Sequence, residues 1–265
     1  MTGMHLHVEG IGLWSSRLGD FTALRTLLAG GMPAAPAAPA PAAALLPANE
    51  RRRAPESVRL AVEVAGQALA MSGRDPGTLA CVFASAHGDQ AITDEICTTL
   101  ARAPAELSPT RFHHSVHNAP AGYWTIATGC RAPSSAVCAG IHSFGAALLE
   151  ASTQALAEQR PVLLVCSDIA GRGPLLEMTG CSLAFGCALL LAPEAGATAL
   201  ARLRLQMPAD HAASTPLPAT LAGVADGNPA AAALPLLALL AGHGGHCRLA
   251  LAATLDLPVN VESVA

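Results

Sequence analysis

The sequence predicts an α/β fold in which a mixed sheet is layered between covering helices, and three observations carry that expectation. Apolar residues make up 52% of the 265-residue chain but aromatic ones only 3%, so Ala, Val and Leu must fill the core, which suits helices packed closely on a sheet. Short apolar runs alternate with segments of helical spacing along the first two thirds of the chain. The stretch from Ser135 to Cys166 reads strand, helix, strand, a βαβ unit.

Taken in order, Leu6 to Trp14 alternates as a strand, and Phe21 to Leu28 places apolar residues at helical spacing. Residues 32–48, MPAAPAAPAPAAALLPA, are almost wholly Pro and Ala. Proline removes backbone donors and clashes with the preceding turn, so this stretch is expected to be a flexible surface loop. From Pro55 to Ser72, the residues Val58, Ala61, Val62, Ala65 and Leu69 line one helical face, which Gly73 ends. Leu79 to Ala84 follows as a buried strand. Ile92, Ile96 and Leu100 recur every four residues and predict a helix over Gln90 to Arg102, stopped by Pro104 and Pro109. Next come a helix over Ala121 to Thr128, a turn at Gly129 to Pro133, and a strand over Ser135 to Ala139. A helix from Gly140 to Glu158 and the strand Val162 to Cys166 close the unit. Beyond it the pattern supports a strand over Leu200 to Gln206 and a last strand over Arg248 to Leu257, with residues 207–247 undetermined. Residues 1–193 are expected to form one domain and 194–265 an extension packed on it.

Composition excludes several functions. A net charge of −4 with 15 Lys and Arg spread along the chain offers a phosphate backbone only Arg51-Arg52-Arg53, so no nucleic acid partner is expected. His5, His7 and Glu9 interrupt the amino end where a signal peptide needs a continuous apolar stretch. The longest apolar run, Ala230 to Ala241, contains Pro235 and falls well short of the roughly 20 residues of a membrane helix. Eight cysteines without CxxC spacing read as buried thiols of a reducing, cytoplasmic compartment. His243 and His246, with Cys247, supply at most three ligands and no second cluster, so no metal is expected. Gly10-Ile11-Gly12 and Gly171-Arg172-Gly173 lack the context of a dinucleotide fingerprint, and no cofactor is expected.

The segment Phe112 to Ser152 concentrates what chemistry the chain has: four of the ten histidines (His113, His114, His117, His142), Cys130, Cys138 and the one tyrosine. Within it, His117-Asn118-Ala119-Pro120-Ala121-Gly122, then Ala132-Pro133, Ser135-Ala136-Val137 and Gly140-Ile141-His142-Ser143 stand in an order that resembles the β-ketoacyl synthases and other thiolase-fold proteins. The segment RRAPESVRLAVEVA from Arg52 is similar to that family's first long helix, and LAFGCALLL from Leu183 to its late core strand. The likeness covers most of residues 5–193 and implies a thiolase-like half fold.

Two departures shape the functional expectation. Counted without gaps from Ala132-Pro133, the position that carries the nucleophilic cysteine in the family holds Ile141, which cannot attack a thioester. Cys138 lies three residues earlier, and at about 3.3 Å per extended residue its sulfur falls on the order of 10 Å short; acyl transfer needs reacting atoms about 3 to 3.5 Å apart. The family's two catalytic histidines come from a second half, and after Leu191 the sequence offers no second βαβ core. The cluster His113, His114, His117 has no neighbouring carboxylate to orient a base, and structural hydrogen bonding is the simpler expectation. Asn118 at a helix start is expected to bond backbone locally.

The resemblance therefore implies a non-catalytic ketosynthase-like subunit, similar to the chain-length factors of aryl-polyene and polyketide clusters. It would pair as a heterodimer with a full-length β-ketoacyl synthase and meet acyl carrier protein through that complex. It also implies where contacts would lie: Ile92, Thr93 and Ile96 at the floor of the partner's acyl tunnel, and Ser135, Ala136, Val137, Cys138 and Ala139 along the dimer contact. The alternatives are an acyltransferase or thioesterase using Cys138 with His142, and an acyl-carrier or lipid-binding module.

Overall fold

In the computed structural model, which describes residues 3–33, 40–212 and 216–264, the amino end forms a long central strand, β1 (Met4–Ser15), whose last eight residues are all buried. Small residues there let a helix approach closely. A Cβ at Gly12 would strike the carbonyl oxygen of Val64, and one at Gly10 that of Ala68, so α3 (Glu56–Ser72) lies almost directly on the strand. Gly73, in the left-handed conformation at φ 68°, ends that helix where the sequence predicts.

The remaining elements follow in chain order. After β1 come α1 (Phe21–Leu28), α2 (Ala48–Arg53), α3, β2 (Ala80–Ala84), α4 (Gln90–Arg102), α5 (Pro109–His114), α6 (Ala119–Thr128) and β3 (Ser134–Val137). Next are α7 (Ser143–Glu158), β4 (Val162–Asp168), α8 (Gly173–Thr179), β5 (Phe185–Ala192), β6 (Ala201–Leu205) and β7 (Ala209–Asp210). The chain ends with α9 (Leu234–Ala241), β8 (Gly245–Ala252) and β9 (Leu255–Ser263). The strands join one mixed sheet in the order β3-β2-β4-β5-β1-β6-β9-β7, with β8 also on β9. β2 runs parallel to both β3 and β4, and every other pairing is antiparallel. One apolar cluster, including Leu24, Phe144, Leu148 and Leu236, fills the layer under α1, α7 and α9. A second, including Leu60, Val64 and Trp124, fills the layer under α3 and α6. The result is the helix–sheet–helix sandwich predicted from composition and periodicity.

Several elements differ from the sequence expectation. Of the loop expected over 32–48, residues 34–39 lie outside the described residues, whereas Ala43 and Leu46 are buried and the Ala43 N–H is held by Glu63 at 2.7 Å. That part packs on α3 rather than lying loose on the surface. The single last strand expected over Arg248 to Leu257 is the hairpin β8–β9, turning after Ala252. The strand expected to reach Ala139 ends at Val137, and the helix expected from Gly140 begins at Ser143, because the Ser143 hydroxyl accepts the Ala139 N–H and donates to the Gly140 carbonyl, closing a turn between them. In the undetermined region, α9 forms although Pro235 sits within it: proline occupies the first turn, where its missing N–H costs nothing.

Candidate functional site

Because β2, β3 and β4 are parallel, their carboxyl ends open on one edge of the sheet, where ligand sites of α/β folds gather. The loop Ser85–His87 after β2, the turn Cys138–His142 after β3 and Asp168 at the end of β4 converge there. The Asp168 carboxylate is buried and organises the group. It accepts the Ser85 hydroxyl at 2.7 Å and the N–H groups of Ala86 and His87, each at 3.0 Å. Burial pushes its pKa up, and these hydrogen bonds offset part of that rise. Asn228 donates to the Asp168 and Leu183 carbonyls, both at 2.8 Å, tying the carboxyl-terminal part of the chain to the same point.

His114 and His117 are occupied by structural bonds. His117 Nε2 lies 2.8 Å from the Ser85 carbonyl, to which it can only donate. His114 Nε2 meets the Tyr123 hydroxyl at 2.9 Å, and burial, followed by the neighbouring His113 and Arg111, lowers its pKa. Asn118 precedes α6 without a side-chain capping bond, so the local bonding expected of it is not made. The space among Ser85, Asp89, His114 and His117 measures about 20 Å³, on the order of what one water needs.

At the junction of β3 and α7, Cys138 has left the strand, and its exposed thiol lies 3.4 Å from the Ala86 carbonyl, to which it donates. Ile141 stands two residues ahead of α7 with 65% of its surface exposed. His142 Nδ1 is buried without a hydrogen-bond partner among the described residues. No hydrogen bond joins Cys138 to His142 among the described residues. Of the other cysteines, Cys97 is exposed and six are buried; burial pushes Cys81, Cys181, Cys187 and Cys247 up to about 12, leaving them inert at neutral pH.

The expected tunnel residues lie on the first two turns of α4. Asp89 starts this helix by accepting the Ile92 N–H at 2.9 Å and is itself held by the Ser57 hydroxyl at 2.7 Å. Ile92 is buried, yet it belongs to neither apolar cluster; Thr93 and Ile96 are half-buried. The Ser134–Val137 strand pairs only with β2 among the described residues, and Ser134 and Ala136 are exposed, so an edge of the sheet is open. His243 follows α9 and His246 lies on β8. Among the described residues no three His, Cys, Asp or Glu side chains are grouped to hold a metal ion, and no helix is long and apolar enough to cross a membrane. Sequence reasoning missed Asp168 and Asn228. The available signal for Asp168 was a carboxylate closing an otherwise apolar strand; for Asn228 there was none.

Residues 29–249 match the family model for the β-ketoacyl synthase N-terminal domain, a match that continues past residue 193. No curated protein matches the chain. Among solved structures, a chain of the ketosynthase ApeO in complex with its chain length factor ApeC, from Xenorhabdus doucetiae, is 25% identical. The likeness covers 96% of this chain and 98% of that one, with a TM-score of 0.71. A chain of the AntDE:AntF complex, a type II polyketide synthase acyl-carrier protein with its ketosynthase bound to the hexaketide, shares the fold at 13% identity and a TM-score of 0.78. Coverage there is 99% of this chain and 100% of that one. The ishigamide ketosynthase/chain length factor shares it at 14% identity and 0.67, again over 99% and 100%.

Proposed function

The chain belongs to the β-ketoacyl synthase N-terminal-domain family, and from that premise we propose that it is a non-catalytic member, a chain-length factor. In this reading it pairs with an active β-ketoacyl synthase, bounds the tunnel in which the growing acyl chain is held, and meets acyl carrier protein through the complex. The pathway class is polyene, polyketide or fatty-acid-like synthesis. The observation that carries the reading is the β3–α7 junction. In the gapless count from the resemblance Ile141 takes the nucleophile position, and in the structure the nearby thiol of Cys138 donates to a backbone carbonyl with no base bonded to it among the described residues. The ketosynthase–chain length factor complexes among the similar structures support the pairing, and the open β3 edge offers a surface for it.

The test is Cys138→Ala in a complex reconstituted with a ketosynthase that retains its own cysteine. Elongation of carrier-bound chains is expected to stay within about twofold of wild type. A true nucleophile contributes several kcal/mol of barrier lowering. A loss of a hundredfold or more with the complex still assembled would therefore replace this reading with the Cys138-dependent acyltransferase.

A further inference from the structure

A cleft of about 560 Å³ opens where α2, α3, α4 and α5 meet the residue before α8, and Arg52, Arg53, Arg59, Arg111 and Arg172 line it. Ile92, on the proposed tunnel helix, lines the same cleft, but the tunnel as proposed uses none of these five charges. Their compensation is incomplete. Three carboxylates also reach the cleft, Glu56, Asp89 and Glu95; Glu56 forms no ion pair among the described residues, and Asp89 is committed to the Ser57 hydroxyl and the Ile92 N–H. Glu95 is committed to Arg111 at 3.2 Å. Arg52 bonds only the neutral side chain of Asn49. Arg53 and Arg172 have no hydrogen-bond or ion-pair partner among the described residues, and the buried Nε of Arg59 has no acceptor.

The chemistry of the lining narrows the ligand. Guanidinium forks match the paired oxygens of a phosphate and outperform ammonium groups in that role. Beside them the wall formed by Ala54, Pro55 and Ala91 is apolar, suited to an uncharged body next to the anion. We propose that this cleft binds a phosphate ester, with Arg59 and Arg172 holding the phosphate. The site stands whether or not the chain is catalytic, so its test is separate from the one above.

Calorimetric titration of the full chain with phenyl phosphate, at about physiological ionic strength so that loose surface attraction is screened, provides that test. Saturable binding is expected, weakened at least tenfold for phenol, which lacks the anion, and at least threefold for inorganic phosphate, which lacks the body. The Arg59→Gln/Arg172→Gln variant is expected to lose at least tenfold in affinity while its circular dichroism and Tm stay unchanged. Should that variant misfold, Arg53→Gln, at an exposed position, carries the same comparison with a smaller expected loss of about threefold. Absence of saturable binding, or binding undiminished in folded variants, would overturn the proposal. So would a hexaglutamate peptide that binds as tightly as phenyl phosphate, because the cleft would then recognise an acidic protein surface.

Discussion

Asp256 illustrates how a single buried carboxylate holds distant segments together in this chain. Burial alone would raise its pKa, but the Ala212 N–H, His211 at 2.9 Å and Arg248 at 3.1 Å outweigh that cost and hold the carboxyl below its ordinary 3.8. A carboxyl whose pKa is lowered by folding binds protons more weakly in the native state than in the unfolded one. Its stabilisation is therefore present in full above the unfolded value and is lost as pH falls below it through the folded value. Urea denaturation between about pH 6 and 2 is expected to give a steeper acid-side loss for the wild type than for Asp256→Asn. Parallel profiles would remove Asp256 from the acid response.

At the scale of elements, the contact of α3 on β1 and the start of α4 carry the sharpest consequences. Gly12→Ala places a methyl against the backbone of Val64, which has no rotamer by which to withdraw. The expected cost is about 3 kcal/mol, the upper part of the range for overpacked cores, read as a shift in the urea midpoint at unchanged slope. A cost under about 0.5 kcal/mol would mean that α3 does not sit as close as described. Ile92 tests the tunnel. It is shielded without belonging to either apolar cluster, so in the reconstituted complex Ile92→Ala is expected to lengthen the products by at least one two-carbon unit with little change in Tm. Mass spectrometry of carrier-bound products decides. Unchanged lengths with a loss of about 2 to 5 kcal/mol, the cost of a core isoleucine, would return Ile92 to the ordinary interior.

At the scale of the molecule, one sheet runs through the whole described chain and ends at β3 with an unpaired edge. Unpaired strand edges are templates for pairing with another chain unless blocked by charge, proline or a covering element. Ser134–Val137 carries no charge and no proline. If the edge serves the proposed ketosynthase pairing, Ala136→Lys, which adds an exposed charge to β3, is expected to abolish the heteromer while leaving the circular dichroism of the lone chain intact. Light scattering on the co-expressed pair is the measurement, and an undiminished heteromer would move the interface elsewhere.

The sequence by itself determined most element types. Helix α4 was predicted at its observed bounds because Ile92, Ile96 and Leu100 repeat with the helical period, and Gly73 and Gly129 marked helix ends, since both facts reside in neighbouring residues. The β8–β9 hairpin was misread as one strand because no Gly or Asn marks its turn. The short helices α2, α5 and α8 span too few residues for a period to show. Tertiary structure alone decided that His114 and His117 are spent on Tyr123 and a backbone carbonyl, that Asp168 and Asn228 meet, and that arginines from separate segments share one cleft. The physical reason is the same in each case. Periodicity records which face of an element is apolar, whereas the neighbours of a polar side chain are set by which elements the sheet order brings together.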